Sequence, residues 1–479
     1  MDAITIPTAP NTATNDQMTA VFEQQRAYAS TVANSSVKER RAKLQRIADY
    51  TMEHLPRLEE AMHKDFKKPM AETVLTEILP IISDLKHTKK HLRKWMKPRR
   101  VPMPLTLLGT VSHIRYEAKG TILILSPWNY PFNLTIGPLI SAIAAGNTAI
   151  LKPSEMTPHT SAFMQEMIQE LFDPKEVALF EGDVSVAQHL LSLPFNHIFF
   201  TGSPQVGKIV MKAAADHLAS VTLELGGKSP TIIDETANLK TVAERVAWGK
   251  CVNNGQTCVA PDYVLVQESV KSQFIEQFGA AVKRMYGDSK EWQQSDSYAR
   301  IVNQKHHARI SGLLEDAIDK GANIEFGGQV QAEENFIAPT VLTKVESGMR
   351  VMQEEIFGPL LPVMSYTNKE EALQVIQQFE APLVMYVNSR NQRNIDFFLN
   401  QAPSGDVVIN ETLAHFGHPD LPFGGKNNSG IGKSGGEAGF REFSHERSVL
   451  IQKFGTLKPF YPPYTPTVRK ILGWVLKFL

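Results

Sequence analysis

Four short runs of apolar residues, with helical patterns between them, constrain the fold of this chain more than any other feature. The runs are TILIL (121–125), TAIL (148–151), HIFF (197–200) and TLEL (222–225). They do not alternate regularly with polar residues, so both faces of each strand are expected to be buried. The helical patterns between the runs lie at 137–145, 158–172 and 205–218. This order predicts an α/β fold with a parallel sheet covered on both faces.

A second region, from residue 239 onward, repeats the mixture, with strand candidates at 263–266, 384–388 and 407–410. Since 479 residues are too many for one core, two or three domains are expected. We predict two consecutive α/β domains that meet near Gly226–Gly227, where the glycine pair indicates a turn. The chain from about Asp16 to Trp95 is predicted to be helical, after a loose arm of about fifteen residues.

Charge and cysteine content argue against several classes of protein. The 50 basic and 50 acidic side chains give a formal net charge of +0, which removes the usual electrostatic basis for binding nucleic acid. Two cysteines, Cys251 and Cys258, are too few for a disulfide scaffold, so we expect a reducing, cytoplasmic location. The N-terminus lacks the features of a secretory signal, and no apolar run reaches the roughly 20 residues of a spanning helix. The sequence predicts no nucleic-acid partner and no metal site.

Cys258 is the first candidate for chemistry. A free cysteine is most often a buried apolar residue, and Cys251 is expected to pack in this way within a helix. The polar, glycine-containing stretch 253–257 before Cys258 instead predicts a loop, on which a thiol can meet a ligand. Such a thiol becomes nucleophilic when its surroundings lower its pKa from about 8.5.

Two strand ends supply further candidates, Glu224 and Asn129. Glu224 lies at the end of the run TLEL, before two glycines. Because open α/β sheets bind ligands at this edge, Glu224 is either a general base that activates water or a solvated strand end. Asn129 lies between prolines after the run TILIL. Its amide either donates a hydrogen bond to an oxyanion or serves only the turn.

A glycine-containing loop, Thr201–Lys208, follows the run HIFF and opens a helix, so its N–H groups can receive a pyrophosphate. It is not GxGxxG, and Ile209 replaces the Ser or Thr with which a P-loop holds Mg²⁺. A nucleotide loop of another kind remains. Lys152 and Glu155, after the run TAIL, either both reach a ribose or form a surface charge pair.

Seven segments together resemble the aldehyde dehydrogenase superfamily, in that family's order. They are PWNYPFNLT, LKPSE, FTGS with VGK, VTLELGGKSP, GQTCVAPDY, QEEIFGP and LPFGG, and they cover the chain from about 120 to 445. The variant spellings and the ending FREFSHERS resemble the class 3 branch, which acts on fatty and aromatic aldehydes. The implied substrates are therefore medium- or long-chain aliphatic or aromatic aldehydes.

The resemblance implies a role for each candidate residue. Cys258 would be the nucleophile and Glu224 the base for deacylation, while Asn129 and the backbone N–H of Cys258 would form the oxyanion hole. The residues that would hold NAD or NADP are Trp128, Lys152, Glu155, Gly202, Ser203, Gly207, Glu355 and Phe357. Cys258 would form a thiohemiacetal, hydride would pass to the nicotinamide, and water would hydrolyse the resulting thioester.

The resemblance also implies the domain organisation. A Rossmann-like dinucleotide-binding domain would comprise 1–96 and 120–226, and a second α/β catalytic domain 227–404. Small β bridging segments at 97–119 and 405–455 would join two copies into a homodimer. Residues 456–479 would form a C-terminal tail.

That tail has an apolar face of helical periodicity. Its members are Val468, Ile471, Leu472, Val475, Leu476 and Leu479. Arg469, Lys470 and Lys477 lie outside this face, with Trp474 and Phe478 beside it. The tail would dock on the body or a partner subunit, cover the substrate funnel, or make a peripheral contact with a membrane surface.

Three alternative functions are weighed against a hydrolytic dehydrogenase. An acylating dehydrogenase would pass the thioester to coenzyme A, and would have less need of a base such as Glu224. A binding protein with inactive chemistry would be expected to lack Cys258, Glu224 or Asn129, and all three are present. A P-loop nucleotide hydrolase is disfavoured by Ile209.

Overall fold

The structure is a computed structural model that describes residues 13–455 and 458–477. Most of the predicted N-terminal arm lies outside these residues, as do Leu479 of the predicted tail face and Phe478 beside it. The α-helices are α1 (Asn15–Ala33), α2 (Val37–Glu53), α3 (Leu55–Phe66), α4 (Met70–Thr73), α5 (Leu79–Trp95), α6 (Asn133–Ala145), α7 (Pro158–Leu171), α8 (Val184–Leu191), α9 (Pro204–Ala215), α10 (Leu239–Cys251), α11 (Lys271–Tyr286), α12 (Gln304–Asp319), α13 (Arg350–Gln353), α14 (Lys369–Ile376), α15 (Gln392–Gln401), α16 (Gly436–Glu442) and α17 (Pro466–Val475).

The strands form three larger sheets and one two-stranded ribbon. They are β1 (Arg99–Val101), β2 (Thr110–Ala118), β3 (Thr121–Leu125), β4 (Thr148–Lys152), β5 (Val177–Leu179), β6 (His197–Gly202), β7 (Ser220–Leu225), β8 (Pro230–Ile233), β9 (Tyr263–Gln267), β10 (Asn323–Phe326), β11 (Val330–Gln331), β12 (Phe336–Ile337), β13 (Thr340–Thr343), β14 (Leu360–Tyr366), β15 (Val384–Asn388), β16 (Asp406–Ile409), β17 (Gly430–Ile431) and β18 (Ser444–Gln452). Over the two described ranges, every helix is too short or too polar to cross a lipid bilayer.

The first sheet has the strand order β17-β7-β6-β3-β4-β5. Its strands are parallel apart from the short β17, which returns antiparallel to β7. The four apolar runs form β3, β4, β6 and β7, as predicted. Alternate residues of β3 enter opposite cores: Ile122 and Ile124 one, Leu123 and Leu125 the other. The strand is apolar throughout because each burial contributes roughly 1.5–3 kcal/mol on either face.

The second sheet has the order β10-β13-β14-β9-β8-β15-β16 and is parallel apart from β10. The predicted strands at 263–266, 384–388 and 407–410 are present as β9, β15 and β16. The chain changes sheet between Leu225, at the end of β7, and Pro230, at the start of β8.

A third, antiparallel sheet consists of β1, β2 and β18. Strand β18 pairs along its whole length with β2, from Ser444 opposite Ala118 to Gln452 opposite Thr110. Most side chains of β18 are exposed. Strand β2 lies within the predicted bridging segment 97–119.

The first sheet creates a crevice where the chain reverses its direction of travel across the sheet. From the central strand β3 the chain moves outward through β4 and β5, and then returns to add β6 and β7 on the other side. Because these strands are parallel, their carboxyl ends meet at one edge. Ligands of open α/β sheets bind at such a switch point, and the predicted site residues lie there.

Candidate active site

The loop that carries Cys258 follows α10, whose last residue is the fully buried Cys251. The chain leaves this helix through residues 252–257, and we call 252–258 the cysteine loop. Asn253 and Asn254 both adopt left-handed backbone conformations, with φ of 53° and 55°. Such conformations cost asparagine on the order of 1 kcal/mol each unless the surroundings compensate. The turn redirects the chain from the helix core so that Cys258 is partly exposed.

Buried hydrogen bonds hold this turn in place. Asn253, Asn254 and Gln256 are each 0% exposed. The Gln256 amide donates to the backbone oxygens of Asn253 and Arg300, both at 2.9 Å, and accepts from the N–H of Val302 at 3.0 Å. Asn254 donates to a third backbone oxygen at 2.7 Å. The predicted polar loop is therefore correct as a loop, but its amides serve the interior and not solvent.

Asn129 lies against the cysteine loop, 2% exposed, between β3 and α6. Its side-chain Nδ2 donates to the backbone oxygen of Gln256 at 3.0 Å. Its own backbone oxygen accepts from Asn253 Nδ2 at 2.8 Å. The next residues are joined as well, since the Tyr130 hydroxyl lies 2.7 Å from Thr257 Oγ1. A carboxamide has two N–H donors. The backbone oxygen of Gln256, two residues before Cys258, accepts one of them.

Glu224 lies near the end of β7, opposite Gly430 of β17, and is 6% exposed. Its carboxyl oxygens are buried, and the neighbouring Ser434 and Lys433 favour its charged form. Burial raises the pKa of Glu224 to about 8, because the charged form is poorly solvated there. An acid with a pKa near the ambient pH can both accept and release a proton.

Cys258 and Glu224 line the same open pocket, which has an empty volume of about 960 Å³. Several further lining residues are apolar, and they include Ile81, Leu134, Phe416, Leu421 and Phe423. Burial, followed by the nearby carboxyl groups of Glu355 and Glu224, raises the pKa of the Cys258 thiol. The resting thiol is therefore protonated at neutral pH, and a base beside it has a proton to remove.

Glu355 approaches the site from the second sheet. A Cβ added at Gly226 would collide with its carboxyl group, so this glycine, directly after β7, allows the two segments to meet. Burial raises the pKa of Glu355 to about 8. Phe357, with φ of 49°, contacts the edge of Trp128 at 5.3 Å between ring centroids.

Lys228 and Asp262 explain why three separate segments of sequence converge here, although the sequence analysis does not single out either residue. Buried Lys228 pairs with Asp262 and donates to the backbone oxygens of Val351 and Glu354, both at 3.0 Å. Asp262 accepts from the N–H of Ile356 at 2.9 Å. The ion pair thereby fixes the Glu355 segment beside the end of β7.

The remaining predicted residues lie at the same edge of the first sheet. Lys152 ends β4, is 6% exposed and pairs with Glu155 at 2.8 Å. Ser203 caps α9 by accepting from the N–H of Val206. A Cβ at Gly202 would lie 2.5 Å from the Phe200 ring, and one at Gly207 would lie 2.9 Å from Leu225. The two glycines allow a close turn and a close approach of α9 to β7.

Comparison with known proteins identifies the family of this chain. The aldehyde dehydrogenase family pattern matches residues 4–449. Aldehyde dehydrogenase family 3 member B2 of Mus musculus is 40% identical, covering 91% of this chain and 90% of the relative. The dimeric, NADP-preferring aldehyde dehydrogenase of Rattus norvegicus is 39% identical, covering 88% and 91%.

A solved structure, described as the substrate-bound state of Staphylococcus aureus AldH, has a TM-score of 0.91 and 41% identity. The match covers 96% of this chain and 99% of the other. The α/β fold and the predicted class 3 resemblance are thus confirmed. The chain belongs to the aldehyde dehydrogenase family and is an oxidoreductase that converts aldehydes to carboxylic acids with NAD or NADP.

Proposed function

We propose that Cys258 is the nucleophile of this reaction, Asn129 the oxyanion donor and Glu224 the base. The observation that carries the proposal is the position of Cys258 and Glu224 in one open pocket, with the Asn129 amide bound to the cysteine loop. A sulfur, an amide and a carboxyl group from distant parts of the chain are what acyl chemistry on a carbonyl requires.

The first step is attack of the Cys258 thiolate on the aldehyde carbon. Since the pKa of the thiol is raised in the resting protein, the thiol proton must be removed, and Glu224 is the neighbouring group able to accept it. The carbonyl oxygen becomes an oxyanion, which the second N–H of Asn129 and the backbone N–H of Cys258 stabilise. One such donor typically lowers the barrier by about 3 kcal/mol.

The second half of the reaction hydrolyses the thioester that remains on Cys258 after hydride loss. Glu224 first releases the thiol proton to solvent, and as carboxylate it then removes a proton from water. The water oxygen attacks the acyl carbon, and the sulfur leaves as a thiolate. Glu224 lines the pocket that contains Cys258, where it would bind the attacking water. Because a base such as Glu224 is needed to activate water and is needed less by a thiol, its presence favours hydrolysis to the free acid over transfer of the acyl group to coenzyme A.

The edge of the first sheet fits a dinucleotide. Gly202, Ser203 and Gly207 would hold the pyrophosphate at the N-terminus of α9, where the first backbone N–H groups of a helix can bind an anion. Gly207 allows this helix to approach β7 closely. Lys152 and Glu155 would contact the adenosine ribose. The residues that would surround the nicotinamide and its ribose are Trp128, Glu355 and Phe357. When bound, the oxidised nicotinamide supplies the hydride acceptor.

The substrates proposed are medium- or long-chain aliphatic or aromatic aldehydes. Leu134, Phe416, Leu421 and Phe423 line the pocket that contains Cys258, so each added methylene that becomes buried contributes about 0.8 kcal/mol of binding. Rates with a series of straight-chain and aromatic aldehydes, measured with NAD and then NADP, test this preference.

The molecule is proposed to be a cytoplasmic homodimer. Strand β18 is paired on one side only, with β2, and β16 is an edge strand of the second sheet. Two such edges can pair between copies. The proposed bridging segments are 97–119 and 405–455, and light scattering of the full chain reports the assembly.

The tail helix α17 is proposed to lie on a membrane surface. Val468 is its buried apolar residue, whereas Ile471, Leu472 and Leu476 are exposed by 42%, 42% and 73%. Exposure of these side chains favours a surface contact over docking on the body of the same chain. Arg469 and Lys470 suit an interface with anionic headgroups.

Replacement of Cys258 by Ala tests the assignment of the nucleophile. We expect Cys258→Ala to abolish aldehyde-dependent cofactor reduction and formation of free acid. Cys251→Ala is the matched control, because that cysteine is buried at the end of a helix and the variant should keep most of the activity. A Cys258→Ala protein with the full rate would remove the assignment, and acid formation only with coenzyme A would replace hydrolysis by acyl transfer.

A further inference from the structure

A π-helical turn, Val74–Ile78, lies between α4 and α5. In an α-helix, residues five apart are separated by about 140° around the axis. A π turn pairs residue i with i+5, so it brings such residues toward the same face. Glu72 and Glu77 are five apart across this turn, and both carboxyl groups bind segments of the candidate active site. Isolated π turns often occur at functional sites.

Glu72 binds the cysteine loop. Its Oε2 accepts the backbone N–H of Asn253 at 2.9 Å, 181 residues away along the chain. Asn253 is the first left-handed residue of the loop. The Asn253 side chain in turn donates to the backbone oxygen of Asn129 at 2.8 Å and to the backbone oxygen of Gln256 at 3.1 Å. One carboxyl group is thus connected through a single residue to the backbone of Asn129 and to that of Gln256, two residues before Cys258.

Glu77 binds the other side of the same region. It pairs with Lys68 at 2.7 Å, and both side chains are 0% exposed. Its second oxygen accepts the N–H of Asn133 at 2.8 Å, in the first turn after the Asn129 loop. The Lys68 ammonium also lies 4.0 Å from the centre of the Tyr130 ring. The ion pair of Lys68 and Glu77 therefore contacts the residues that follow Asn129 and holds that segment in place.

The geometry points to Glu72 as a positioning residue that keeps Asn129 and Cys258 in register by holding Asn253 in its left-handed conformation. The inference rests on the proposed roles of Cys258 and Asn129. Glu72 binds the backbone behind the site and does not line the pocket that contains the nucleophile. Loss of its bond should therefore affect the chemical step more than the binding of aldehyde.

Two variants of Glu72 separate hydrogen bonding from charge. Glu72→Ala removes the acceptor, whereas Glu72→Gln keeps a carbonyl oxygen at the same position. Small misplacements of reacting groups reduce rates by up to about 100-fold, so we expect the Ala variant to lower kcat by about 10- to 100-fold and the Gln variant by no more than about threefold. KM for aldehyde and cofactor should change little. Glu60→Ala, an exposed glutamate paired with Lys64, is the control and should match the wild type.

Asn253→Gly provides a second measurement that does not depend on the stability of the Glu72→Ala protein. Glycine adopts the left-handed conformation readily but lacks the donors to Asn129 and Gln256. We expect its kcat loss to equal that of Glu72→Ala, and the double variant to lose no more than either single one, because both changes break the same path. Thermal unfolding monitored by circular dichroism reports that each variant is folded.

The test of Glu72 can fail independently of the test of Cys258 as the nucleophile. If Cys258→Ala is inactive while Glu72→Ala keeps the wild-type kcat, the positioning role is wrong and the proposed function stands. The positioning role is also wrong if the loss of kcat in the Glu72→Ala/Asn253→Gly double variant is the product of the two single losses. Equal losses of kcat in Glu72→Ala and Glu72→Gln overturn it as well. If Cys258→Ala is fully active, both proposals fall together.

Discussion

The cysteine loop and the tail helix α17 are two short segments that the sequence marks as functional, and the structure treats them in opposite ways. The loop residues 252–256 are buried, and their side chains bind backbone atoms from several distant segments. In α17, Val468 is buried and the rest of the described apolar face is largely exposed. Chemistry needs atoms held within a fraction of an ångström, whereas contact with a fluid surface needs only an apolar face.

This difference predicts that changes around the cysteine loop alter rates strongly, and that changes in the tail alter them little. The largest effect after loss of Cys258 is expected at Glu224. Glu224→Gln removes the proposed base, and general base catalysis typically contributes 10²–10⁴-fold. In the wild type the rate should rise with pH until about 8, because burial raises the pKa of Glu224 to about 8 and the carboxylate is the active form.

Profiles of kcat against pH from 6 to 10 check this prediction. The Glu224→Gln profile should be low and should lack the rise centred near pH 8. The same rise in the variant would assign it to another group, for which Glu355, whose pKa burial also raises to about 8, is the first candidate.

The next effect in size is expected at Asn129. Loss of one oxyanion donor usually lowers kcat by about 10²–10³-fold, so Asn129→Ala should show a loss of this order with little change in KM. Asn129→Asp is the matched variant, since it keeps the size of the side chain but presents oxygens where the amide donates. Single-turnover measurements of cofactor reduction report the step. Normal rates in both variants would mean that the second N–H of Asn129 does not face the substrate.

Much of the fold and three candidate chemical groups could be identified from sequence because their signals are local. Strand β3 is five consecutive buried residues, and Asn129 and Glu224 lie at strand ends. Glu72 could not be found in this way, because its partner Asn253 is 181 residues away and the π turn that orients it has no local sequence signal. Likewise, Lys228 and Asp262 gain their role only when three segments meet.

A smaller effect concerns the stability of the folded state, again confined to the loop region. Glu224 and Glu355 each have a folded pKa near 8, raised from 4.5 mainly by burial. The folded protein therefore prefers their neutral forms. The stability that this preference supplies is complete below pH 4.5 and is lost as pH rises through 8. One pKa unit corresponds to about 1.4 kcal/mol, so the loss for Glu224 amounts to a few kcal/mol.

Because glutamine is neutral at every pH, Glu224→Gln should unfold at a higher temperature than the wild type at pH 9, and at about the same temperature at pH 5. Calorimetry at both values measures the difference. The variant then gains stability while losing activity, which is the expected relation at a strained or desolvated active site. An equal shift at both pH values would show that packing, and not ionisation, is responsible.

The smallest effect is expected from deletion of the chain after Pro466. The deletion removes most of α17, and Val468 is the single buried apolar residue lost among those described. We expect the unfolding temperature to change by no more than about 2 °C. We also expect kcat with a short aldehyde to stay the same, because the residues that line the pocket with Cys258 do not include those of α17. Binding to vesicles of anionic lipid should be lost, since the exposed Ile471, Leu472 and Leu476 and the adjacent basic residues are removed.

The full chain with Ile471 and Leu472 replaced by Ser is the control that keeps the tail length. A change in chain-length preference on deletion would instead place the tail over the pocket, and unchanged vesicle binding would leave the exposed face without the role proposed for it.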